Sequence, residues 1–127
     1  MTLPADILQF IAEYLDSIGT LEVLLLLHSD PARRWTAGEL SRELRSSLLS
    51  VESSLAILLG RRLAVEEAGG AYRFHAGTRA LDEKTSRLAE CYRERRTAVI
   101  TAIFSRPTDA VRSFADAFRF KKDKSNG

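Results

Sequence analysis

Arginine is the residue type in this 127-residue chain whose number and spacing could do chemistry, since a guanidinium pairs with phosphate or carboxylate oxygens through parallel hydrogen bonds. Residues 33–79 hold eight arginines against five acidic residues, a net charge of +3. Cations gathered in one part of a chain suit contact with a polyanion such as DNA. The candidates for contact with phosphate are Arg33, Arg34, Arg42, Arg45, Arg61, Arg62, Arg73 and Arg79.

Sequence motifs for catalysis and metal binding are missing. The chain has no G-x-S-x-G, P-loop, H-E-x-x-H or dinucleotide-binding glycine pattern, so we predict that it is not an enzyme and takes no cofactor. His28 and His75 fall on separate segments without cysteines or carboxylates at ligand spacing, so no metal site is predicted. Arginines near Cys91 would lower its thiol pKa if they converged, but a small buried residue is the simpler interpretation.

Length and composition indicate one domain over residues 1–127. The chain is 45% hydrophobic and has the size of an ordinary single domain. A single cysteine excludes an intrachain disulfide framework and favours a reducing cytoplasm. The longest apolar run, residues 23–27, is far shorter than the about 20 residues that span a bilayer. The N-terminus lacks the basic region of a secretory signal, so we expect a cytoplasmic protein without a membrane partner.

Charge is distributed unevenly along the chain. Residues 1–32 contain five acidic residues and no lysine or arginine, whereas residues 33–127 carry all 19 basic residues and 12 acidic ones, a net charge of +7. Such a division indicates two faces with different partners, or an acidic segment that folds back on a basic body. Charge alone leaves both interpretations open.

Two helices are predicted at the start of the chain. Pro4 and Asp6 suit a first helical turn, where proline loses no needed hydrogen bond and a carboxylate faces the positive end of the helix dipole. Apolar residues at helical spacing extend this helix over residues 5–18. Thr20 then offers a capping hydroxyl to a second, more buried helix that ends near Pro31.

Two further helices are predicted after a short segment at Trp35, which we expect to be a small strand or a loop that anchors the core. Thr36 and Glu39 form a capping box, in which each side chain accepts a hydrogen bond from the other residue's backbone N–H. The next helix runs from about Leu48 to Arg62.

The hydrophobic period then changes from 3.6 to 2. Residues 63–76 predict a β-hairpin whose turn is a pair of glycines. Pairing outward from a two-residue turn places Val65 opposite Phe74 on one face and Glu66 opposite Arg73 on the other. We therefore expect an apolar pair inside and an ion pair outside.

One long helix is predicted from Thr78 to Ser105, followed by an amphipathic helix over residues 109–120. At about 1.5 Å per residue the long helix would reach about 40 Å, more than the diameter of a small domain. A helix of that length protrudes or packs against another chain, so we expect a homodimer. Its interface residues would be Leu81, Leu88, Tyr92, Val99, Ile103, Phe114 and Phe118.

Three short helices followed by a tight hairpin are in the order of a winged helix-turn-helix, and the chain resembles a winged-helix transcription regulator of the MarR-like type. Residues 36–44 are similar to the first motif helix and residues 47–59 to the recognition helix. Residues 61–65 are similar to the exit into the wing, with Arg62 where glycine is usual. Residues 72–81 are similar to the return strand and the start of the next helix.

This resemblance implies a mainly α fold with a small β-hairpin, a winged helix-turn-helix with flanking N- and C-terminal helices. The core would cover about residues 20–77, with flanking helices over 5–18, 78–105 and 109–120. It also implies a dimeric, DNA-binding transcription regulator whose terminal helices form the dimer interface. The expected contacts with double-stranded DNA are Arg42, Arg45, Ser47, Ser50, Ser53, Arg61, Arg62 and Arg73.

The candidate recognition helix departs from the usual base-reading chemistry. Between Leu48 and Gly60 there is no Arg, Lys, Asn or Gln, the side chains that most often read bases. The alternative is therefore a winged-helix module that binds a protein partner without binding DNA. It would use Leu49, Glu52, Ala56 and Ile57.

Overall fold

The structure, a computed structural model, describes residues 3–105. This part of the chain is mainly helical with a small antiparallel sheet, which confirms that part of the prediction. Its elements are α1 (Ala5–Tyr14), α2 (Ile18–Ser29), β1 (Trp35–Thr36), α3 (Ala37–Leu44), α4 (Leu48–Gly60), β2 (Ala64–Glu67), β3 (Ala71–Phe74), α5 (Arg79–Glu94) and α6 (Arg96–Phe104).

The boundary between α1 and α2 lies earlier than predicted. The hydroxyl of Ser17 accepts a hydrogen bond from the Thr20 backbone N–H at 3.1 Å. The Thr20 hydroxyl in turn donates to the Asp16 carboxylate at 2.9 Å. A hydroxyl at the N-cap satisfies one of the donors that the first helical turn leaves without a partner. Ser17 is therefore the cap of α2, and the prediction of one helix over residues 5–18 with Thr20 as the next cap is wrong.

The capping box that opens α3 is confirmed. The Thr36 backbone N–H donates to the Glu39 carboxylate at 2.9 Å, and the Glu39 N–H donates to the Thr36 hydroxyl at 3.1 Å. The next helix, α4, is capped in the same way by Ser47, whose hydroxyl accepts from the Ser50 N–H at 3.1 Å. Both starts follow from hydroxyl residues at the cap position.

The hairpin is confirmed, but its register differs from the prediction by one residue. Ala64, not Val65, lies opposite Phe74, and Val65 lies opposite Arg73. The connection has three residues instead of two, since Glu67 pairs with Ala71. Its two glycines have φ values of +83° and +73°, the left-handed region that glycine enters at little cost. The predicted Val65–Phe74 and Glu66–Arg73 pairs are therefore wrong.

A third strand completes the sheet, whose order is β1-β3-β2. Trp35 of β1 lies opposite Tyr72 of β3 in an antiparallel pair. Trp35 is buried in the core, as we expected for the short segment before α3. The small strand ties the start of α3 to the hairpin, so the helices and the sheet form one unit.

The long C-terminal helix is broken at Arg95, whose φ of −137° and ψ of 56° are not helical. The prediction of one helix from Thr78 to Ser105 is therefore wrong: α5 ends at Glu94 and α6 turns back to pack against α1. The turn buries Val99 and Ile103 in the chain's own core. A straight helix would have carried these apolar side chains away from it, and burial of such side chains is favourable.

Candidate nucleic-acid interface

One face of α4 packs into the molecule and the opposite face is uncovered. Val51, Leu55 and Leu58 of the inner face are buried beneath α2 and α3. The buried Ser54 hydroxyl lies within hydrogen-bond distance of the Thr20 hydroxyl of α2, at 3.3 Å. Because the helix is held along its inner side, its other side is a rigid surface for a partner.

We call the uncovered side the α4 outer face. Leu49 is 74% exposed and Leu48 is 47% exposed at its N-terminal end. Further along, the exposed residues are short or acidic, and Glu52 is the one carboxylate that α4 carries. The members of the α4 outer face are Leu48, Leu49, Ser50, Glu52, Ser53, Ala56 and Gly60.

Three arginines close to α4 in the chain have no acidic partner within residues 3–105. Arg42 lies in the last turn of α3, Arg45 between α3 and α4, and Arg62 just beyond the end of α4. All three are exposed, and no ion pair of the described part of the chain involves them. They are the predicted phosphate contacts whose positive charge is available to an anion.

Two of these arginines have left-handed backbone conformations. Arg45 has a φ of 54° and Arg62 a φ of 62°. After α4, the Leu63 N–H reaches back to the Leu58 carbonyl oxygen at 2.9 Å, the pattern of a Schellman motif. Glycine is favoured at such a position because it has no Cβ. Arginine therefore occupies two positions where backbone energy alone would favour glycine.

Other predicted phosphate contacts are already engaged. The Arg61 guanidinium donates to the backbone carbonyl oxygen of Glu13 at the end of α1. Arg73 pairs with Glu67 at 2.7 Å, and Arg34 lies 3.7 Å from the same carboxylate. One glutamate is thus shared by Arg73 of β3 and by Arg34 just before β1, which leaves one net positive charge there, and the contact of Arg61 is with the protein itself.

The two outermost arginines of residues 33–79 also have partners. The guanidinium of Arg33 lies over the Trp35 ring, 3.4 Å from its centre. Arg79 pairs with Glu83 one helical turn further along α5, at 3.3 Å between exposed side chains. The Trp35 Nε1 is buried without a hydrogen-bond partner in the described part of the chain. Trp35 therefore acts as a core residue with a cation over its ring.

The three serines predicted to touch DNA differ in their roles. Ser47 uses its hydroxyl to cap α4. Ser50 and Ser53 are exposed on the α4 outer face, one helical turn or less from Leu49. Ser50 and Ser53 are therefore open to a partner, whereas Ser47 first stabilises the start of the helix.

The acidic first segment is held against the basic body. The Arg87 guanidinium makes two hydrogen bonds with the Asp6 carboxylate, one of them 3.2 Å long. Hydrogen bonding by Arg87 lowers the pKa of Asp6. Together with the contact between Arg61 and Glu13, this favours the interpretation in which the acidic segment folds back.

The predicted dimer-interface residues do not form one exposed surface. Leu88, Val99 and Ile103 are buried in the chain's own core, so a second chain cannot reach them in this conformation. Leu81 and Tyr92 are half-buried beside the same core. Phe114 and Phe118, with the helix predicted over 109–120, lie outside the described residues. The expectation of an open apolar surface along the predicted long helix is wrong for these three core residues, because α6 packs against α1 and α5 and buries its own Val99 and Ile103 there.

A groove of about 660 Å³ between α2 and α5 was not predicted. His28 donates to or accepts from the Ser86 hydroxyl at 3.1 Å and meets the Phe74 ring edge-on, 5.0 Å between ring centres. Burial lowers the pKa of His28, and the Asp82 carboxylate opposes that shift. Tertiary packing alone brings these segments together, so no spacing in the sequence could have located the groove. Its lining is Leu25, His28, Ser29, Ser86, Ala89, Glu90, Tyr92 and Arg93.

Across residues 3–105, no helix combines the length and apolar character needed to span a bilayer. Over the same stretch, no three His, Cys, Asp or Glu side chains come together as ligands for a metal ion. Comparison of the chain with protein-family models, curated proteins and solved structures found no match.

Proposed function

We propose that the protein is a winged-helix DNA-binding regulator that inserts α4 into the major groove of double-stranded DNA. The observation that carries this proposal is the α4 outer face, uncovered on a firmly packed helix, with the unpaired Arg42, Arg45 and Arg62 beside it. The element order, with β1 paired to a hairpin that follows α4, is compatible with a winged helix-turn-helix and supports the proposal.

In this proposal the arginines supply affinity through phosphate contacts. A helix fits the major groove, while contacts to the DNA backbone set its position. Neutralising three phosphates corresponds to a slope of about −3 in a plot of log K against log salt concentration. Glu67 cancels one of the two positive charges of Arg34 and Arg73, so this pair adds less than two free arginines would. The predicted affinity is therefore modest and strongly dependent on salt.

Two copies would bind two half-sites about one helical turn apart, which places the α4 helices on the same side of the DNA. We propose a cytoplasmic homodimer for this reason. The residues that remain of the proposed interface are Leu81, Tyr92, Phe114 and Phe118. Light scattering at micromolar protein tests this: a 14.2 kDa species would contradict the dimer.

The test is fluorescence anisotropy with labelled duplexes from the neighbourhood of the protein's own gene, at salt from about 50 to 200 mM. Arg45→Ser and Arg42→Ser should each weaken binding and reduce the salt slope by about one. Arg93→Ser on α5 is the matched control, since this exposed arginine lies on the groove between α2 and α5. Absence of binding to any duplex at the lowest salt would refute the proposal.

A second candidate function is a winged-helix module that binds protein through the α4 outer face. The specific observation in its favour is the exposure of Leu48 and Leu49, 47% and 74%, on a helix without Arg, Lys, Asn or Gln. Leu49→Glu or Ala56→Glu should then remove a partner that co-purifies with the wild-type protein, whereas Ile57, which the sequence also suggested, is half-buried and lies outside this face. Leu8→Glu is the control, because Leu8 is an exposed leucine on α1. Partners that persist in the α4 variants would contradict this function.

A further inference from the structure

We infer that the α4 outer face reads the C5-methyl groups of pyrimidines in the major groove, with Leu49 as the contacting residue. This inference rests on the proposed DNA binding and names the feature of DNA that α4 would recognise. The ligand is therefore thymine, or 5-methylcytosine, within double-stranded DNA.

The side chains of α4 leave few other ways to read bases. Guanine and adenine are usually read by bidentate donors from Arg, Lys, Asn or Gln, and α4 has none of these. Three kinds of contact remain in the major groove: hydrogen bonds from the exposed Ser50 and Ser53 hydroxyls, apolar contact with the thymine methyl group, and acceptance of a hydrogen bond from the cytosine amino group. A hydroxyl can bond to any base, so the base-selective contacts are the last two, and both belong to the major-groove edge of a pyrimidine.

Leu49 is placed to make the apolar contact. It lies in the first turn of α4 and is 74% exposed, so burying it against a methyl group removes apolar surface of both partners from water. Its neighbours along the face, Ser53 and Ala56, are one and two turns away and have short side chains. Short side chains let the helix approach the floor of the groove without a clash.

Glu52 lies at the edge of the same face and is the one carboxylate of α4. A carboxylate accepts from the cytosine amino group, whereas it repels phosphate. A cytosine that also carries a C5-methyl group offers both features to adjacent residues, the amino group to Glu52 and the methyl group to Leu49. The face therefore favours pyrimidine methylation over an unmodified cytosine.

Arg42 and Arg45 indicate that the N-terminal end of α4 is the end that enters the groove. Arg45 precedes Leu49 by four residues, and Arg42 lies in the last turn of α3. Both are exposed and unpaired within residues 3–105, so they match the charge of the phosphates that border the groove. DNA is therefore the occupant that fits the charge beside the apolar end of α4.

The test compares the affinity of the protein for two duplexes about two helical turns long. The second duplex has the sequence of the first, except that uracil replaces every thymine. Removing a contacted methyl group should weaken binding about fourfold, which corresponds to about 0.8 kcal/mol. Replacing cytosine by 5-methylcytosine should strengthen binding by a similar factor. Leu49→Ala should lower the thymine-to-uracil ratio to near one, and Leu8→Ala on α1 should leave it unchanged.

The outcomes separate this inference from the proposed function. If thymine and uracil duplexes bind equally well and with a salt-dependent affinity, DNA binding stands and methyl reading is overturned. If Leu49→Ala keeps the full ratio, the assignment to the α4 outer face is overturned. If no duplex binds at about 50 mM salt, the proposed function fails and this inference fails with it.

Discussion

Gly77 and Arg62 touch so closely that a side chain at residue 77 has no room. A Cβ added to Gly77 would lie 2.9 Å from the Arg62 Cβ and 3.1 Å from its Cδ. The Gly77 N–H also donates to the Arg62 carbonyl oxygen at 2.8 Å. The end of α4 and the chain that leaves the sheet are thus joined at one point, where the left-handed Arg62 backbone meets a residue without a Cβ.

Gly77→Ala should destabilise the protein by about 1–3 kcal/mol, because the new methyl group overpacks this contact. Denaturant unfolding at neutral pH measures the change. Gly60→Ala is the matched control: nothing lies within 4 Å of its added Cβ, and replacing a helical glycine should stabilise by about 0.5–1 kcal/mol. Equal effects at the two glycines would contradict the steric explanation.

Arg62→Gly should stabilise the fold by about 1 kcal/mol, because glycine adopts the left-handed conformation without strain. The same substitution removes an unpaired cation, so DNA binding should weaken while stability rises. In this background Gly77→Ala should cost less, since the Arg62 side chain that it meets is gone. A double-mutant cycle measures this coupling, and strict additivity would exclude it.

Glu67→Gln should raise DNA affinity and steepen its salt dependence, because the Glu67 carboxylate cancels one of the two positive charges of Arg34 and Arg73 in the wild-type protein. Anisotropy titration at two salt concentrations is the measurement. Glu83→Gln, which removes only the exposed partner of Arg79, is the comparison and should have the smaller effect. A slope unchanged by Glu67→Gln would mean that the sheet does not face DNA.

Acid should destabilise the fold through His28. Burial lowers the pKa of His28 in the folded protein, so the unfolded chain binds the proton more tightly. Stability is therefore unaffected by His28 above its unfolded pKa of about 6.5 and falls as the pH drops below that value. Thermal unfolding at pH 8 and pH 5.5 measures how much stability the protein loses in acid. This loss should be smaller in His28→Asn than in the wild-type protein, whereas His75→Asn, at an exposed position, should lose as much stability as the wild type.

Local signals in the sequence predict elements well and their partners poorly. The Thr36–Glu39 capping box and the change of hydrophobic period after Arg62 each depend on a few adjacent residues, and the structure has both features. The hairpin register depends on whether the turn has two or three residues, and two adjacent glycines permit either. No proline or glycine marks the break at Arg95 in the sequence. The break accompanies the packing of α6 against α1, a tertiary contact that local sequence signals do not predict.

In the candidate interface, too, the sequence predicts which residues share a helix face but not which side chains have a partner elsewhere in the fold. The sequence places Leu49 and Ser53 on an outer face because helical spacing separates them from Val51 and Leu55. It cannot separate Arg61 from Arg62, which are adjacent in the chain, because their difference lies in the hydrogen bond that Arg61 makes with the Glu13 carbonyl oxygen of α1. The proposed roles of the two arginines can nevertheless be tested against each other.

Arg61→Ala should destabilise the fold by about 1 kcal/mol, since its guanidinium donates to the Glu13 carbonyl oxygen at a partly exposed site. It should leave the salt slope of DNA binding unchanged, because this guanidinium already has a partner in the protein. Arg62→Ala should do the opposite, reducing the slope by about one with little loss of stability. The two variants remove the same charge from neighbouring positions, so net charge cannot explain a difference between them. Equal slopes in the two variants would contradict the assignment of Arg62 to phosphate and of Arg61 to the fold.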